Sequence, residues 1–219
     1  MFYFENYNGR KVLRSDYIQG AGVFFTTREG FDFDSVNCKR IITPNQTHTS
    51  NVCVVDDRND YPETDGLITN KKDSLIYLRF ADCTPLVFYD SNKNAGAVSH
   101  AGWRGTAGKI AVKTIEKMKS EYGCNPKDIT VLIGPAISLC CYEVGDDVKH
   151  KLLSTVNDNS GLFDGNKVDL KKINARQLEE VGVEQIDICP YCTCCNNDMF
   201  YSYRKENGTP KRHFAAIRL

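Results

Sequence analysis

Three apolar segments in the middle of the chain, separated by very short polar breaks, constrain the fold more than any other feature. Residues 74–80, 85–89 and 95–99 each have the length and the apolar content of a β-strand. Residues 90–94, with the sequence DSNKN, are turn-forming, so the second and third segments are predicted to pair as an antiparallel hairpin. This pattern favours a mixed sheet over a doubly wound parallel sheet.

The rest of the chain predicts helices interleaved with further strands. Residues 106–122 repeat apolar side chains with the period of a helix, and residues 146–156 and 169–181 are amphipathic in the same way. The first third is predicted to consist of short strands and loops, and later strands are predicted at residues 130–133, 183–188, 199–203 and 214–217. The expected fold class is therefore α+β, a mixed-sheet α/β sandwich in which residues 1–219 form a single domain.

Charge and hydropathy exclude several classes of partner. The chain carries 28 basic and 28 acidic side chains, so we expect it to bind neither nucleic acid nor an anionic membrane. No apolar run is long enough to span a bilayer, and the first residues lack the apolar stretch of a signal peptide. The expected location is the cytoplasm, where the 10 cysteines would be reduced thiols or metal ligands.

Two histidines and one cysteine occur in surroundings that suggest a functional site. His48 lies in a polar stretch before an apolar run, and His100 lies between a predicted strand and a predicted helix. If the turn centres on residues 91–94, the cross-strand partner of Cys83 falls within about two positions of His100. Because cross-strand partners share a face of the sheet, the Cys83 thiol and the His100 imidazole are predicted to lie close together.

A thiol beside an imidazole can serve one of two chemical roles. Cys83 can be a nucleophile with His100 as its base, or both can be metal ligands. Adding His48 gives two histidines and one cysteine with a fourth position open, which is the pattern of a catalytic zinc site. A single blue-type copper uses the same donors, whereas multicopper sites need more imidazoles than 4 histidines supply. The spacing alone leaves open a buried cysteine with two structural histidines.

One zinc enzyme class is excluded directly. The H-x-E and P-C-x-x-C signature of cytidine-type deaminases is absent from the chain.

Residues 102–106, with the sequence GWRGT, suggest an anion site. Two glycines allow close approach of the backbone, and the helix that follows presents unpaired N–H groups. Arg104 offers a forked donor to phosphate or carboxylate. A glycine-rich turn with a surface arginine explains the same residues, and Trp103 is favoured as a core residue over a platform on which a base stacks.

Further cysteines lie in two short segments: Cys140 and Cys141 in one, and Cys189, Cys192, Cys194 and Cys195 in the other. A structural zinc or iron–sulfur site needs four sulfurs at workable spacing, and no C-x-x-C motif is present outside residues 189–195. Buried or free thiols are therefore the favoured interpretation of these residues.

Several short motifs occur in order along the chain, namely QTH (46–48), DGLIT (65–69), ADCTP (81–85), HAGWRG (100–105), IGPAI (133–137), CYEVG (141–145) and FYSYR (200–204). Together they resemble the YfiH-like, laccase-domain family, and the resemblance extends over residues 40–219. Members of that family are described as purine nucleoside phosphorylases, were once called polyphenol oxidases, and include a peptidoglycan editing factor.

The resemblance implies a YfiH-like sandwich and a zinc ion held by His48, Cys83 and His100. It also implies phosphorolysis of adenosine, inosine and methylthioadenosine to a sugar 1-phosphate and a free base, with adenosine deamination as a second activity. The expected partners are therefore a purine nucleoside and phosphate.

This hypothesis gives further residues a role at the site. Cys83 and His100 are predicted to be catalytic as well as metal-ligating, and Asp82 is predicted to orient a ligand or to move a proton. Contacts to substrate or to an anion are assigned to Arg104, Gln46 and Trp103.

Three departures from the family pattern bear on the pocket. The segment before Asn37 is shortened, Ala136 stands where many members have cysteine, and Arg79 replaces a usually apolar residue. Three alternative functions stay open: a metal-free hydrolase that uses Cys83 and His100 on an amide of a peptidoglycan precursor, a copper-dependent polyphenol oxidase, and a non-catalytic redox or metal-storage module.

Overall fold

The computed structural model describes residues 1–58 and 60–219. Its strands are β1 (Phe2–Tyr7), β2 (Arg10–Ser15), β3 (Gly22–Thr26), β4 (Arg40–Ile42), β5 (Val52–Val54), β6 (Gly66–Thr69), β7 (Ser74–Phe80), β8 (Thr84–Asp90), β9 (Ala95–Ala101), β10 (Ile129–Ile133), β11 (Phe163–Asp164), β12 (Lys167–Val168), β13 (Gln185–Ile188) and β14 (His213–Arg218). Its α-helices are α1 (Trp103–Ala107), α2 (Ile110–Tyr122), α3 (Asp146–Leu153) and α4 (Leu170–Glu180). Within the described ranges, no helix is both long and apolar enough to cross a bilayer.

The strands form two large mixed sheets. The first has the order β1-β2-β3-β14-β7-β4 and the second has the order β13-β10-β8-β9-β6-β5. The pairs β4–β7, β5–β6 and β10–β13 are parallel, whereas the neighbours in the middle of each sheet are antiparallel. The predicted class, an α+β fold with a mixed-sheet sandwich, is confirmed.

The main core lies between the two sheets. Leu78 and Ala215 of the first sheet belong to the same buried cluster as Val87 and Val98 of the second, and none of the four is exposed. Helices α2 and α4 cover the other face of the second sheet, where Phe88 is buried in a second apolar cluster. Strand β8 is therefore buried on both faces, which explains its continuous apolar run.

The β8–β9 hairpin places the chemistry-bearing residues at one end of the second sheet. Pro85 pairs with His100 and Thr84 pairs with Ala101, so Cys83 comes immediately before the first paired position of β8. This register confirms the prediction that the partner of Cys83 lies within about two positions of His100. At the other end of the hairpin, the Asp90 carboxylate accepts hydrogen bonds from the backbone N–H groups of the turn.

Two predicted elements differ from the structure. The single helix predicted at 106–122 is divided, because Gly108 ends α1 and Lys109 adopts a left-handed conformation with φ of 55° before α2 begins. The prediction of a strand at residues 199–203 is wrong. The N–H groups of Met199 and Phe200 both donate to the Asn196 carbonyl, so these residues form a turn. The apolar side chain that suggested a strand, Phe200, is buried in the core from a loop.

Candidate active site

The structure brings together the three predicted metal ligands, which come from three separate segments. His48 lies in the loop before β5, Cys83 precedes β8, and His100 lies near the end of β9. One donor atom from each residue lies within 4.8 Å of the other two. The two imidazole rings are 5.0 Å apart between centroids and meet edge to face at 73°.

Asp65 organises the loop that carries His48. Its carboxylate is completely buried and accepts hydrogen bonds from the backbone N–H groups of Thr47, His48 and Thr49 at 3.2, 3.1 and 2.7 Å. The Thr49 hydroxyl also donates to it at 2.8 Å. His48 itself adopts φ of 64°, a conformation that is uncommon outside glycine, and the hydrogen bonds of the loop to Asp65 hold it there.

Asp65 also orients His100. The Asp65 Oδ1 atom lies 2.8 Å from His100 Nδ1, and the His100 side chain is 5% exposed. With Nδ1 engaged, Nε2 is the ring nitrogen that remains for a ligand. A carboxylate behind a histidine in this way is the usual outer partner of a metal-bound imidazole.

The charges at the site are strongly coupled. Burial raises the pKa of the Cys83 thiol, but the neighbouring imidazoles of His100 and His48 outweigh burial and hold that pKa below its ordinary value. Burial lowers the pKa of His100, but Cys83 and Asp65 outweigh it and raise that pKa. The thiolate form of Cys83 is therefore favoured at neutral pH, and a thiolate is the form that binds metals and attacks electrophiles.

This donor set fits a zinc ion. Two imidazole nitrogens and one thiolate are ligands that zinc accepts, and three protein ligands leave a position for water or substrate. Imidazole and thiolate donors also suit copper, so the residues present do not by themselves choose between the two metals.

The three residues line a cleft with a volume of about 840 Å³. Its walls carry three arginines (Arg79, Arg204 and Arg212) and three aromatic side chains (Tyr142, Tyr203 and Phe214). Among the described residues, none of the three arginines forms an ion pair with a carboxylate. The cleft therefore combines positive charge with surfaces on which an aromatic ring can pack.

Two other predicted residues, Asp82 and Gln46, line the same cleft and hold its walls together. The Asp82 carboxylate accepts hydrogen bonds from the Thr193 hydroxyl and from the Arg204 backbone N–H, both at 2.6 Å. The Gln46 side chain donates to the Arg79 carbonyl at 2.9 Å and accepts from the Arg79 N–H at 2.8 Å. The catalytic role assigned to Asp82 and the substrate contact assigned to Gln46 stay predictions.

The structure places Arg104 and Trp103 outside the residues that line this cleft. Trp103 packs against the apolar cluster around helices α3 and α4, and the Arg104 guanidinium lies 4.3 Å from the centre of its ring. Their assignment to substrate or anion binding stays a prediction, and Arg79, Arg204 and Arg212 are the arginines that face the cleft.

The sequence motifs contained several of the remaining site residues without revealing their roles. Asp65 opens the DGLIT motif and Arg204 closes the FYSYR motif. The sequence offers one indication of a role for Asp65, namely an acidic residue directly before a buried strand. Arg212 lies outside these motifs, and only the return of the chain to β14 brings it to the cleft.

We expect Gly102→Ala to weaken metal binding without unfolding the protein. A Cβ atom on residue 102 would lie 2.9 Å from Cys83 Sγ, while the backbone φ of −69° suits alanine. The displaced thiol should lower metal affinity by about 10-fold or more, the range found when the support of a ligand is disturbed. Chelator competition measures the affinity, and thermal unfolding measures the stability.

The matched control is Gly22→Ala, whose added Cβ atom would make only ordinary contact at 3.4 Å with Arg218. Equal metal affinity in the two variants would contradict the proposed close packing of residue 102 against Cys83.

Comparison with known proteins shows the family to which the chain belongs. The family model described as multi-copper polyphenol oxidoreductase laccase matches residues 28–219, so the chain belongs to this laccase-domain, YfiH-like family. Among individual relatives, a purine nucleoside phosphorylase of Clostridium acetobutylicum is 35% identical over 205 residues, which cover 90% of this chain and 87% of that protein.

Two further matches extend the comparison. The adenosine deaminase RL5 of an unknown prokaryotic organism is 31% identical over 230 residues, covering 97% of this chain and 84% of that protein. The crystal structure of YlmD from Geobacillus stearothermophilus superposes with a TM-score of 0.88 at 29% identity, covering 100% of this chain and 99% of that one.

Proposed function

We propose that the chain is a zinc-dependent purine nucleoside phosphorylase acting on adenosine, inosine and methylthioadenosine, with adenosine deaminase activity. The observation that carries the proposal is the convergence of His48, Cys83 and His100 on a cleft whose walls provide both arginines and aromatic rings. The names of the relatives, purine nucleoside phosphorylase and adenosine deaminase, support the same substrate class. The free thiols fit the reducing environment of the cytoplasm, which we propose as its location.

Phosphorolysis needs a bound phosphate next to the anomeric carbon of the nucleoside. A phosphate oxygen forms the new bond to that carbon, and the N-glycosidic bond breaks with its electron pair leaving on the purine, which then takes up a proton. Arg79, Arg204 and Arg212 supply positive charge for the phosphate. Tyr142 and Phe214 offer apolar faces for the purine.

Deamination uses the same site in a different way. Water adds to C6 of the purine, and ammonia leaves, which converts adenosine to inosine. A zinc ion held by His48, Cys83 and His100 would supply a Lewis acid that lowers the pKa of a water molecule. Asp65 keeps the His100 ring in one orientation through Nδ1, so the position of its other nitrogen is fixed before substrate binds.

A second candidate function rests on a specific arrangement within the same site. Asp65, His100 and Cys83 follow one another as carboxylate, imidazole and thiol, the order found in nucleophilic hydrolases. In this alternative the Cys83 thiolate attacks an amide carbon of a peptidoglycan precursor, and the C–N bond breaks as His100 gives its proton to the leaving amine. Water then hydrolyses the thioester and regenerates the thiol.

One experiment separates these candidates: elemental analysis of the purified protein followed by assays with adenosine in the presence and absence of phosphate. We expect zinc, phosphate-dependent release of adenine with ribose 1-phosphate, and phosphate-independent formation of inosine with ammonia. A metal-free protein that forms a covalent adduct at Cys83 would instead support the hydrolase. Copper with oxygen-dependent oxidation of phenols would support the polyphenol oxidase.

A further inference from the structure

A second cluster of metal-binding side chains lies apart from His48, Cys83 and His100. The sulfur atoms of Cys140, Cys141, Cys192 and Cys195 all lie within 4.8 Å of one another. Cys195 Sγ is 3.6 Å from Cys140 Sγ and 3.4 Å from Cys141 Sγ. Four sulfurs therefore meet, because the C-x-x-C pair Cys192 and Cys195 of one segment faces the adjacent Cys140 and Cys141 of the other.

Two loops from distant parts of the chain build this cluster. A parallel bridge joins Ala136 to Cys192, and the Thr193 N–H donates to the Ala136 carbonyl at 3.1 Å. The Ser138 N–H points at Cys192 Sγ at 3.4 Å, which is the kind of support that stabilises a thiolate ligand. The backbone thus fixes the position of the most buried sulfur, while Cys140 and Cys195 lie at the surface.

The spacing of the sulfurs suits a single tetrahedral ion. With zinc–sulfur bonds of about 2.3 Å, the sulfurs of a tetrahedral tetrathiolate lie ~3.8 Å apart. The two measured distances of 3.4 and 3.6 Å are close to this value. A bridged pair would need an S–S distance near ~2.05 Å, and a multi-iron cluster would spread its thiolates further apart than one ion does.

A buried lysine beside the cluster supplies a second observation. Lys171 is 4% exposed, and its ammonium donates to the carbonyls of Cys189 and Tyr191, just before Cys192. In the described part of the chain, this ammonium has no carboxylate partner within ion-pair distance. Burial disfavours the charged ammonium, and negative charge nearby offsets this cost. Besides Asp169, the thiols of Cys192 and Cys140 are close enough to supply it, and four thiolates around one divalent ion carry a net charge of −2.

We propose that Cys140, Cys141, Cys192 and Cys195 form a structural site for one divalent zinc ion. Its four ligands are all from the protein, so it is a closed site that joins two loops rather than a catalytic one. Both loops reach the cleft. In the first, the Ile137 N–H donates to the Asp82 carbonyl at 3.0 Å and the carbonyls of Cys141 and Glu143 accept from the Arg204 guanidinium. In the second, the Thr193 hydroxyl donates to the Asp82 carboxylate at 2.6 Å. Zinc here fixes the wall that carries Tyr142 and Arg204.

The test measures the number of zinc ions per chain in variants that each remove one of the two sites. With both sites filled, we expect two equivalents in the unsubstituted protein and one in Cys195→Ser. Cys83→Ala should keep one equivalent, which the double variant Cys83→Ala/Cys195→Ser should lose. Cys195 is exposed, so serine there is compatible with the fold, and Cys140→Ser should reproduce the result.

The control is Cys38→Ser, a partly exposed thiol in neither cluster, which should keep the zinc content of the unsubstituted protein. Loading the Cys83→Ala variant with cobalt gives a second readout, since four thiolates produce strong sulfur-to-cobalt charge-transfer absorption that the double variant should lack.

Three results would overturn the proposal. These are equal zinc content in Cys83→Ala and in the double variant, iron in place of zinc in the purified protein, and a disulfide between two of the four cysteines in protein freshly purified under reducing conditions. Each readout is independent of nucleoside turnover, so it stands whether or not the phosphorylase assay succeeds.

Discussion

Cys83→Ala is expected to abolish phosphorolysis and deamination together. The thiol is the one sulfur donor among the three residues that converge on the cleft, and its negative charge is stabilised by the imidazoles on either side. Loss of a ligand should cost more than the roughly 100-fold that marks the upper range for loss of a supporting residue. Initial rates with adenosine and phosphate, measured together with zinc content, test this result.

The control is Cys53→Ala. Cys53 is a half-buried thiol whose sulfur lies 3.3 Å from the Thr64 hydroxyl and belongs to neither cysteine cluster. It should keep both activities. Turnover by a Cys83→Ala protein shown to lack metal at this site would contradict the proposed function.

His48→Ala distinguishes the zinc enzyme from the hydrolase alternative. A zinc site loses one of its three ligands in this variant, so both activities should disappear with the metal. A Cys83–His100 hydrolase keeps its nucleophile, its base and the orienting Asp65, so it should retain amide cleavage and still form an adduct at Cys83.

Asp65→Asn is expected to lower zinc affinity and activity by about 10–100-fold, the range found for partners behind a metal-bound histidine. The substitution keeps the size of the side chain but replaces an acceptor oxygen with an NH₂ group. In one orientation of the amide, its NH₂ group would face the N–H groups of residues 47–49, and in the other it would face the His100 ring. At least one of these hydrogen bonds is therefore lost. An unsatisfied buried polar group should also destabilise the fold by about 1–3 kcal/mol.

Asp90→Asn is the matched control for this prediction. Asp90 is also completely buried and also accepts two backbone N–H groups, but it lies at the opposite end of β8 from Cys83. Both variants should lose thermal stability, whereas only Asp65→Asn should lose zinc affinity in chelator competition. Equal zinc affinity in the two proteins would show that Asp65 has a purely structural role.

The local elements were predictable where one physical cause dominated. Strand β7 is predicted to the residue, and the turn at residues 90–94 sets the register that brings Cys83 to His100. The apolar periodicity did not predict the division of the helix at Gly108. Residue 108 packs against Ser50 of a distant loop, whose Oγ would lie 2.7 Å from an added Cβ atom, and periodicity carries no information about such a contact.

The site was predictable only in part, because its parts come from distant loops. The resemblance and the hairpin register predicted that His48, Cys83 and His100 converge, and the structure brings them together. The hydrogen bonds that hold Asp65 and Asp82 were not predicted, because they join segments 16 to 122 positions apart. The four-thiol cluster was missed for the same reason. Motif spacing treats each segment by itself, whereas the bridge between Ala136 and Cys192 joins two of them.

The position of β14 has a consequence for biosynthesis. Residues 213–218 form the strand between β3 and β7, so these two earlier strands have no direct contact in the sheet without it. During translation, the first sheet therefore stays divided, with the edges of β3 and β7 unpaired, until residue 218 has left the ribosome. Such late, long-range pairing slows folding and exposes strand edges, so we expect the nascent chain to depend on chaperones that shield those edges.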